Sequence, residues 1–113
     1  MEKDPPRITV AVAIVLRIFL EDVAAPRYGY DLMQQTGFPS GKLYPILARL
    51  QAAGWLTKHR EDADPVTKGR PVRWWYQLSE EGAATARREL AALHQQLAPT
   101  PQSGVASPAW RPA

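Results

Sequence analysis

The chain has 113 residues, 45% of them hydrophobic, a formal charge of +3 and an isoelectric point near 9.5, which suits one domain with one modest core. It has no cysteine and only two distant histidines, His59 and His94, which excludes a disulfide framework, a thiolate nucleophile and a Cys-based zinc site and leaves no metal-ligand spacing. The basic balance favours an anionic partner without specifying one.

Residues 1–8 are expected to form a flexible arm. Their acids, Glu2 and Asp4, and their prolines do not follow the order of a secretory signal. The apolar run Val10 to Leu16 is closed by Arg17 and falls short of the roughly 20 residues that span a bilayer, so a cytoplasmic protein without a membrane anchor is expected. Thr9 can cap a helix running to about Asp22; its β-branched residues would also accept a strand, and length argues for helix. A second, short helix spans Tyr28 to Thr36 and stops at Gly37.

Ser40 offers an N-cap for a third helix ending at Gly54, where Leu43, Ile46, Leu47 and Leu50 form one buried stripe. Pro45 lies about one turn inside its start and predicts a distorted first turn rather than a broken helix. From Trp55 to Arg60 and from Arg73 to Leu78 the residues turn aromatic, β-branched and alternating, the pattern of a β-hairpin with a long tip. Trp74, Tyr76 and Leu78 share a face expected to be core, as is Trp55, while Trp75 covers the other side. Ser79 caps a last helix to about Leu97, with Glu80 and Glu81 in its first turn. Residues 98–113, rich in proline, are expected to be a disordered tail.

The fold class is therefore mainly α with a small β-hairpin, in the order α-α-α-β-β-α over residues 9–97. This is the layout of a winged helix-turn-helix, although a plain α+β packing has the same order. The third helix leaves Ser40, Lys42, Tyr44 and Arg49 off its buried stripe, side chains that suit a DNA backbone and groove, or equally a solvated polar face. Lys68, Arg70 and Arg73 on the hairpin, with Lys58 and Arg60, suit phosphate contacts; Glu61, Asp62 and Asp64 keep a mixed-charge solvent hairpin open as the other reading. Over residues 39–78 seven cations meet three acids, an excess of +4 in the proposed reading head. In the last helix Ala83, Ala86, Leu90, Leu93 and Leu97 step by three and four, the spacing of a helix–helix seam between two copies or of a helix folded onto its own domain. No nucleophile–base pair, phosphate-cradling loop or metal cluster points to an enzyme.

The sequence also resembles the PadR family of transcriptional regulators. The likeness is carried by Tyr28-Gly29-Tyr30-Asp31-Leu32, by Gly41-Lys42-Leu43-Tyr44-Pro45-Ile46-Leu47-Ala48-Arg49-Leu50 with Gly54-Trp55-Leu56, by Gly69-Arg70-Pro71, by Trp75-Tyr76-Gln77-Leu78 and by Ser79-Glu80-Glu81-Gly82. It implies a homodimeric winged-helix repressor on double-stranded DNA with palindromic operators, paired through its single carboxy-terminal helix and needing no cofactor. It further implies that a small hydrophobic or aromatic effector can be sensed at or beside the dimer interface, without assigning residues. Tyr28 stands where a histidine is common, and no second long helical domain follows Leu97, which aligns the chain with the short members. The rival expectation is a protein-docking winged helix without DNA binding.

Overall fold

The protein is described by a computed structural model, in which residues 6–99 are placed. The first helix, α1 (Val10–Glu21), begins where the Thr9 hydroxyl accepts the Val12 amide at 3.1 Å. Its β-branched residues cost a few tenths of a kcal/mol each, about 0.5, against Ala in a helix. Burying Val12, Val15, Leu16 and Phe19 on one face outweighs this, at about 1.5–3 kcal/mol per side chain. Ile8, assigned to a flexible arm by the sequence, packs against the same core; residues 1–5 and residues 100–113 of the expected tail lie outside the described residues.

A two-residue strand, β1 (Arg27–Tyr28), leads straight into α2 (Gly29–Thr36), which ends on Gly37 at φ 75° with its amide on the Met33 carbonyl. Then α3 (Ser40–Ala52) starts one residue earlier than the sequence suggests: Pro39, not Ser40, is the N-cap. The Pro39 carbonyl accepts the Lys42 and Leu43 amides at 2.9 and 3.0 Å, and Ser40 is already helical. The helix passes through Pro45 unbroken and ends at Ala52, with Gly54 in the left-handed region.

The hairpin pairs β2 (Leu56–Arg60) with β3 (Trp74–Leu78), from Leu56 opposite Leu78 to Arg60 opposite Trp74. β1 joins the outer edge of β3, giving an antiparallel sheet of order β1-β3-β2. The long tip of the hairpin is partly helical. It holds one helical turn, α4 (Pro65–Lys68), capped by the Asp64 carboxylate on the Val66 amide and stopped by Gly69 at φ 69°.

Finally, α5 (Glu80–Leu97) is capped by Ser79, whose hydroxyl accepts the Gly82 amide at 2.9 Å and donates to the Gly54 carbonyl at 2.8 Å. This one side chain ties the start of α5 to the end of α3. A Cβ at Gly82 would collide with the Trp55 carbonyl, so the close approach of helix and strand requires glycine there. The core lies between α1, α3 and the inner face of the sheet, with Leu32 of α2 and Ala83 and Ala86 of α5 closing it.

Candidate nucleic-acid interface

The buried stripe of α3 (Leu43, Ile46, Leu47, Leu50) fixes what the helix shows outside. At about 100° per residue, Gly41, Pro45, Ala48 and Ala52 form the ridge farthest from the core; all four are exposed. Lys42 and Arg49 line one flank of that ridge, Tyr44 and Gln51 the other, all exposed. A spine of small residues between long polar ones lets a helix sit deep in a major groove: methyls meet thymine methyls while the flanks reach base edges and phosphates. The sequence reading found the flanks but not the spine, which was visible as small residues at i, i+4, i+7 and i+11.

Each flank residue is held differently. Lys42 rests its ammonium 4.3 Å from the centre of the Phe38 ring, an exposed contact worth about 0.5–1 kcal/mol and readily exchanged for phosphate. Arg49 is exposed and forms no ion pair among the described residues. Tyr44 is 42% exposed, but its hydroxyl end lies against the backbone of Gly29, so it fixes α3 on α2 as well as facing outward. Ser40 is exposed on the first turn.

The hairpin is braced by Glu61. Its carboxylate accepts Arg70 Nη1 at 2.7 Å, Arg70 Nη2 at 3.3 Å and the Arg73 amide at 3.0 Å, while the Glu61 amide donates to the Arg73 carbonyl at 2.9 Å. The Arg70 guanidinium, and after it the Arg73 amide, holds the Glu61 carboxyl at about 2, well below its ordinary range. Arg70, expected from the sequence to project outward, is thus engaged inside the wing. The side chains of Lys68 and Arg73 are exposed on it.

Between wing and reading helix the sheet face carries Lys58, Trp74 and Tyr76. Tyr76 is core as expected, but Trp74 is 47% exposed, a correction to its expected burial. It pairs with Arg60 at the far end of the hairpin, beyond Tyr76, the last residue of that face to be buried. Lys58 Nζ lies 4.9 Å from the Trp74 ring centre and 5.9 Å from that of Tyr76. These groups, with Tyr30, Tyr44 and Arg73, line a half-open cavity of about 380 Å³. On the opposite face His59 stacks on Trp75 at 4.2 Å, a packing role.

The seam expected along α5 divides. Ala83 and Ala86 are 4% and 0% exposed, buried in the protomer's own core, where they have no surface to offer a second copy. Leu90 packs partly on that core, Leu93 is half-buried and Leu97 is 71% exposed. Beside α5, α1 exposes Val10 and Ile14. Among the described residues no group of three His, Asp or Glu could hold a metal ion, and no helix is long and apolar enough to cross a membrane.

Three helices with an exposed reading ridge, followed by a braced two-stranded wing, define a winged helix-turn-helix protein. The family model of the transcriptional regulator PadR-like family matches residues 15–88, and the chain belongs to that family, one of transcriptional regulators rather than enzymes. Solved structures agree in fold. A PadR-like transcription factor from Bacteroides fragilis is similar at 22% identity and a TM-score of 0.60, over 77% of this chain and 82% of that one. A DNA-binding protein, so described with reservation, from Ralstonia eutropha JMP134 reaches 28% identity and 0.56, over 74% and 98%. Overoxidized AbfR, in a crystal structure bound to DNA, gives 21% and 0.63, over 81% and 61%. No curated protein matches the chain in sequence.

Proposed function

We propose that this transcriptional regulator is a sequence-specific repressor in the cytoplasm that binds a palindromic operator as a homodimer, one α3 per half-site. The observation that carries the reading is the small-residue ridge of α3 between Lys42 and Arg49 on one side and Tyr44 and Gln51 on the other, next to a wing offering Lys58, Lys68 and Arg73. The DNA-bound structure of AbfR, which shares the fold, supports the same use of it. Ser40, Lys42, Tyr44 and Arg49 are the helix contacts, and Lys68 and Arg73 the wing contacts; Arg70 serves by shaping the wing. Repression needs only occupancy of the operator, so beyond this surface it requires only the one that pairs the two copies.

Pairing is assigned to Leu93 and Leu97 of α5 and to Val10 and Ile14 of α1, apolar side chains that two copies would bury about a two-fold axis. A two-fold dimer places its reading helices in successive major grooves about 34 Å apart, which makes the operator palindromic. Selection of bound duplexes from random or genomic fragments, followed by anisotropy titration at several salt concentrations, tests the reading. A palindromic consensus bound with a steep salt dependence is expected; absence of duplex binding at low salt would leave the fold as a protein-docking platform.

A further inference from the structure

We propose that the groove between the N-terminal segment and α5 is filled by the chain's own Trp110 and Arg111, the indole on its apolar walls and the guanidinium on Glu89. The groove is lined by Pro6, Ile8, Glu89, Ala92, Leu93 and Gln96 and has a volume of about 260 Å³. That is below the roughly 300–1,000 Å³ of a small-ligand site and suits one large side chain instead. Pro6, Ile8, Ala92 and Leu93 give it apolar walls, Gln96 an amide and Glu89 its single charge.

Folding of residues 6–99 leaves this chemistry unfinished. Glu89 is half-buried beside apolar groups, where an unneutralised carboxylate is costly. It forms no ion pair among the described residues; Arg7, between Pro6 and Ile8, is exposed and does not pair with it.

Residues 100–113 carry the complement. Trp110 is their one aromatic residue and Arg111 their one charged residue, and the two are adjacent. A ring beside a cation matches apolar walls beside a carboxylate, one contact hydrophobic and the other charge-assisted. Pro108 and Pro112 frame the pair and restrict its backbone in advance, which lowers the entropy lost on docking. The reach is sufficient. The eleven residues from Pro99 to Trp110 span up to about 35 Å, whereas Glu89 lies only about 12 Å back along α5 from Leu97. A proline-rich segment with a single anchor cannot order itself, and the groove supplies the surface that its composition lacks.

Leu93 belongs both to this groove and to the pairing surface proposed above. At about 100° per residue, Leu97 lies to one side of it on α5 and Glu89 and Gln96 to the other. A docked indole therefore extends the apolar surface around Leu93 and strengthens pairing, a consequence that rests on the function proposed above.

Nitrogen-15 relaxation on the full chain tests the docking. The Trp110 amide should give an order parameter of about 0.8, against less than about 0.6 at Ser103 and Gly104. The Trp110 indole Nε1–H should show nuclear Overhauser contacts to the methyls of Ile8 and Leu93. Glu89→Lys and Arg111→Glu should each drop the Trp110 order parameter below about 0.6, and the double charge swap should restore it, with circular dichroism unchanged throughout. Trp110→Ala should raise the dissociation constant of the dimer about tenfold. A wild-type Trp110 amide as mobile as that of Ser103 overturns the docking, and a double swap that restores nothing overturns the pairing of Arg111 with Glu89. Contacts seen only between labelled and unlabelled copies in a mixed sample assign the groove to the second copy's tail and overturn the own-chain assignment. An unchanged dissociation constant in Trp110→Ala overturns the effect on pairing. A monomeric wild-type chain sinks the proposed homodimer separately, because the relaxation result does not depend on it.

Discussion

The hydroxyl end of Tyr44 on α3 occupies the space that a Cβ at Gly29 on α2 would take. The first residue of one helix is therefore a glycine so that a side chain of the next can seat on its backbone, which sets the angle between the helix-turn-helix pair. Gly29→Ala should cost about 1–3 kcal/mol of stability by overpacking. Tyr44→Phe removes the nearest colliding atom, so the double variant should recover part of that loss, a coupling that a cycle of thermal or urea unfolding measures. Strictly additive losses would show that the two residues do not share the space.

The wing should depend on the charge of Glu61. Glu61→Gln keeps the shape but removes the partner of Arg70, and amide exchange at Arg73 should quicken several-fold while the amides of Leu47 and Leu50 in the core stay unchanged. The folded carboxyl titrates at about 2 against an ordinary 4.5. Its contribution to wing order is therefore full above the ordinary value and is lost as pH falls through the folded one. An NMR titration of the Glu61 carboxyl checks this directly; a midpoint near 4.5 would mean that the brace does not persist in solution.

How much of this was legible in the sequence follows from the range of the forces involved. The caps Thr9 and Ser79 and the stripe of α3 are local patterns, and they appear where the residues indicate. The strand β1 has only two residues, too few for any periodicity, and exists because β3, far along the chain, pairs with it. The turn α4 did carry a local signature, Asp64 before Pro65 and Gly69 at the end, which the surrounding polar residues obscured. Trp74 alternates correctly but lies farther out than the core reaches, and alternation gives a face, not a depth. For the site, the polar flanks of α3 were readable, whereas the engagement of Arg70 by Glu61 is a contact between turns that spacing does not reveal.

The split of α5 leads to a separation of effects. Heptad spacing does not say whether a seam faces another copy or the same domain; here Ala83 and Ala86 face their own core, and Leu97, the end of the seam, is exposed. Ala86→Leu overfills the protomer core and should lower stability by about 1–3 kcal/mol in any oligomeric state. Leu97→Glu, at a position 71% exposed, should leave the fold intact and shift sedimentation towards the monomer, because two like charges would be buried across the two-fold axis. A wild-type chain that already sediments as a monomer at micromolar concentration refutes this assignment of the interface.

Reading helix and wing should fail differently when their cations are removed. Lys42 and Arg49 are seven positions apart on one flank of α3, about 10 Å along the axis, so on the proposed reading both would reach the same wall of a major groove. A side chain there that meets a base edge contributes discrimination of about 1–3 kcal/mol, and alanine at either position should narrow the gap between operator and scrambled duplex. Lys68 and Arg73 are exposed on the wing, where the proposed reading has them meet phosphate, so alanine there should weaken both duplexes alike and lower the salt slope by about 1. Arg70 is the internal control, since its guanidinium is already paired with Glu61. Arg70→Ala should loosen the wing and weaken binding without the unit change in salt slope, because no phosphate contact is removed. Anisotropy titrations of the five variants against both duplexes at several salt concentrations separate these outcomes. A drop in salt slope for Arg70→Ala equal to that for Arg73→Ala would mean that the Glu61 contact opens on DNA and hands Arg70 to the phosphates.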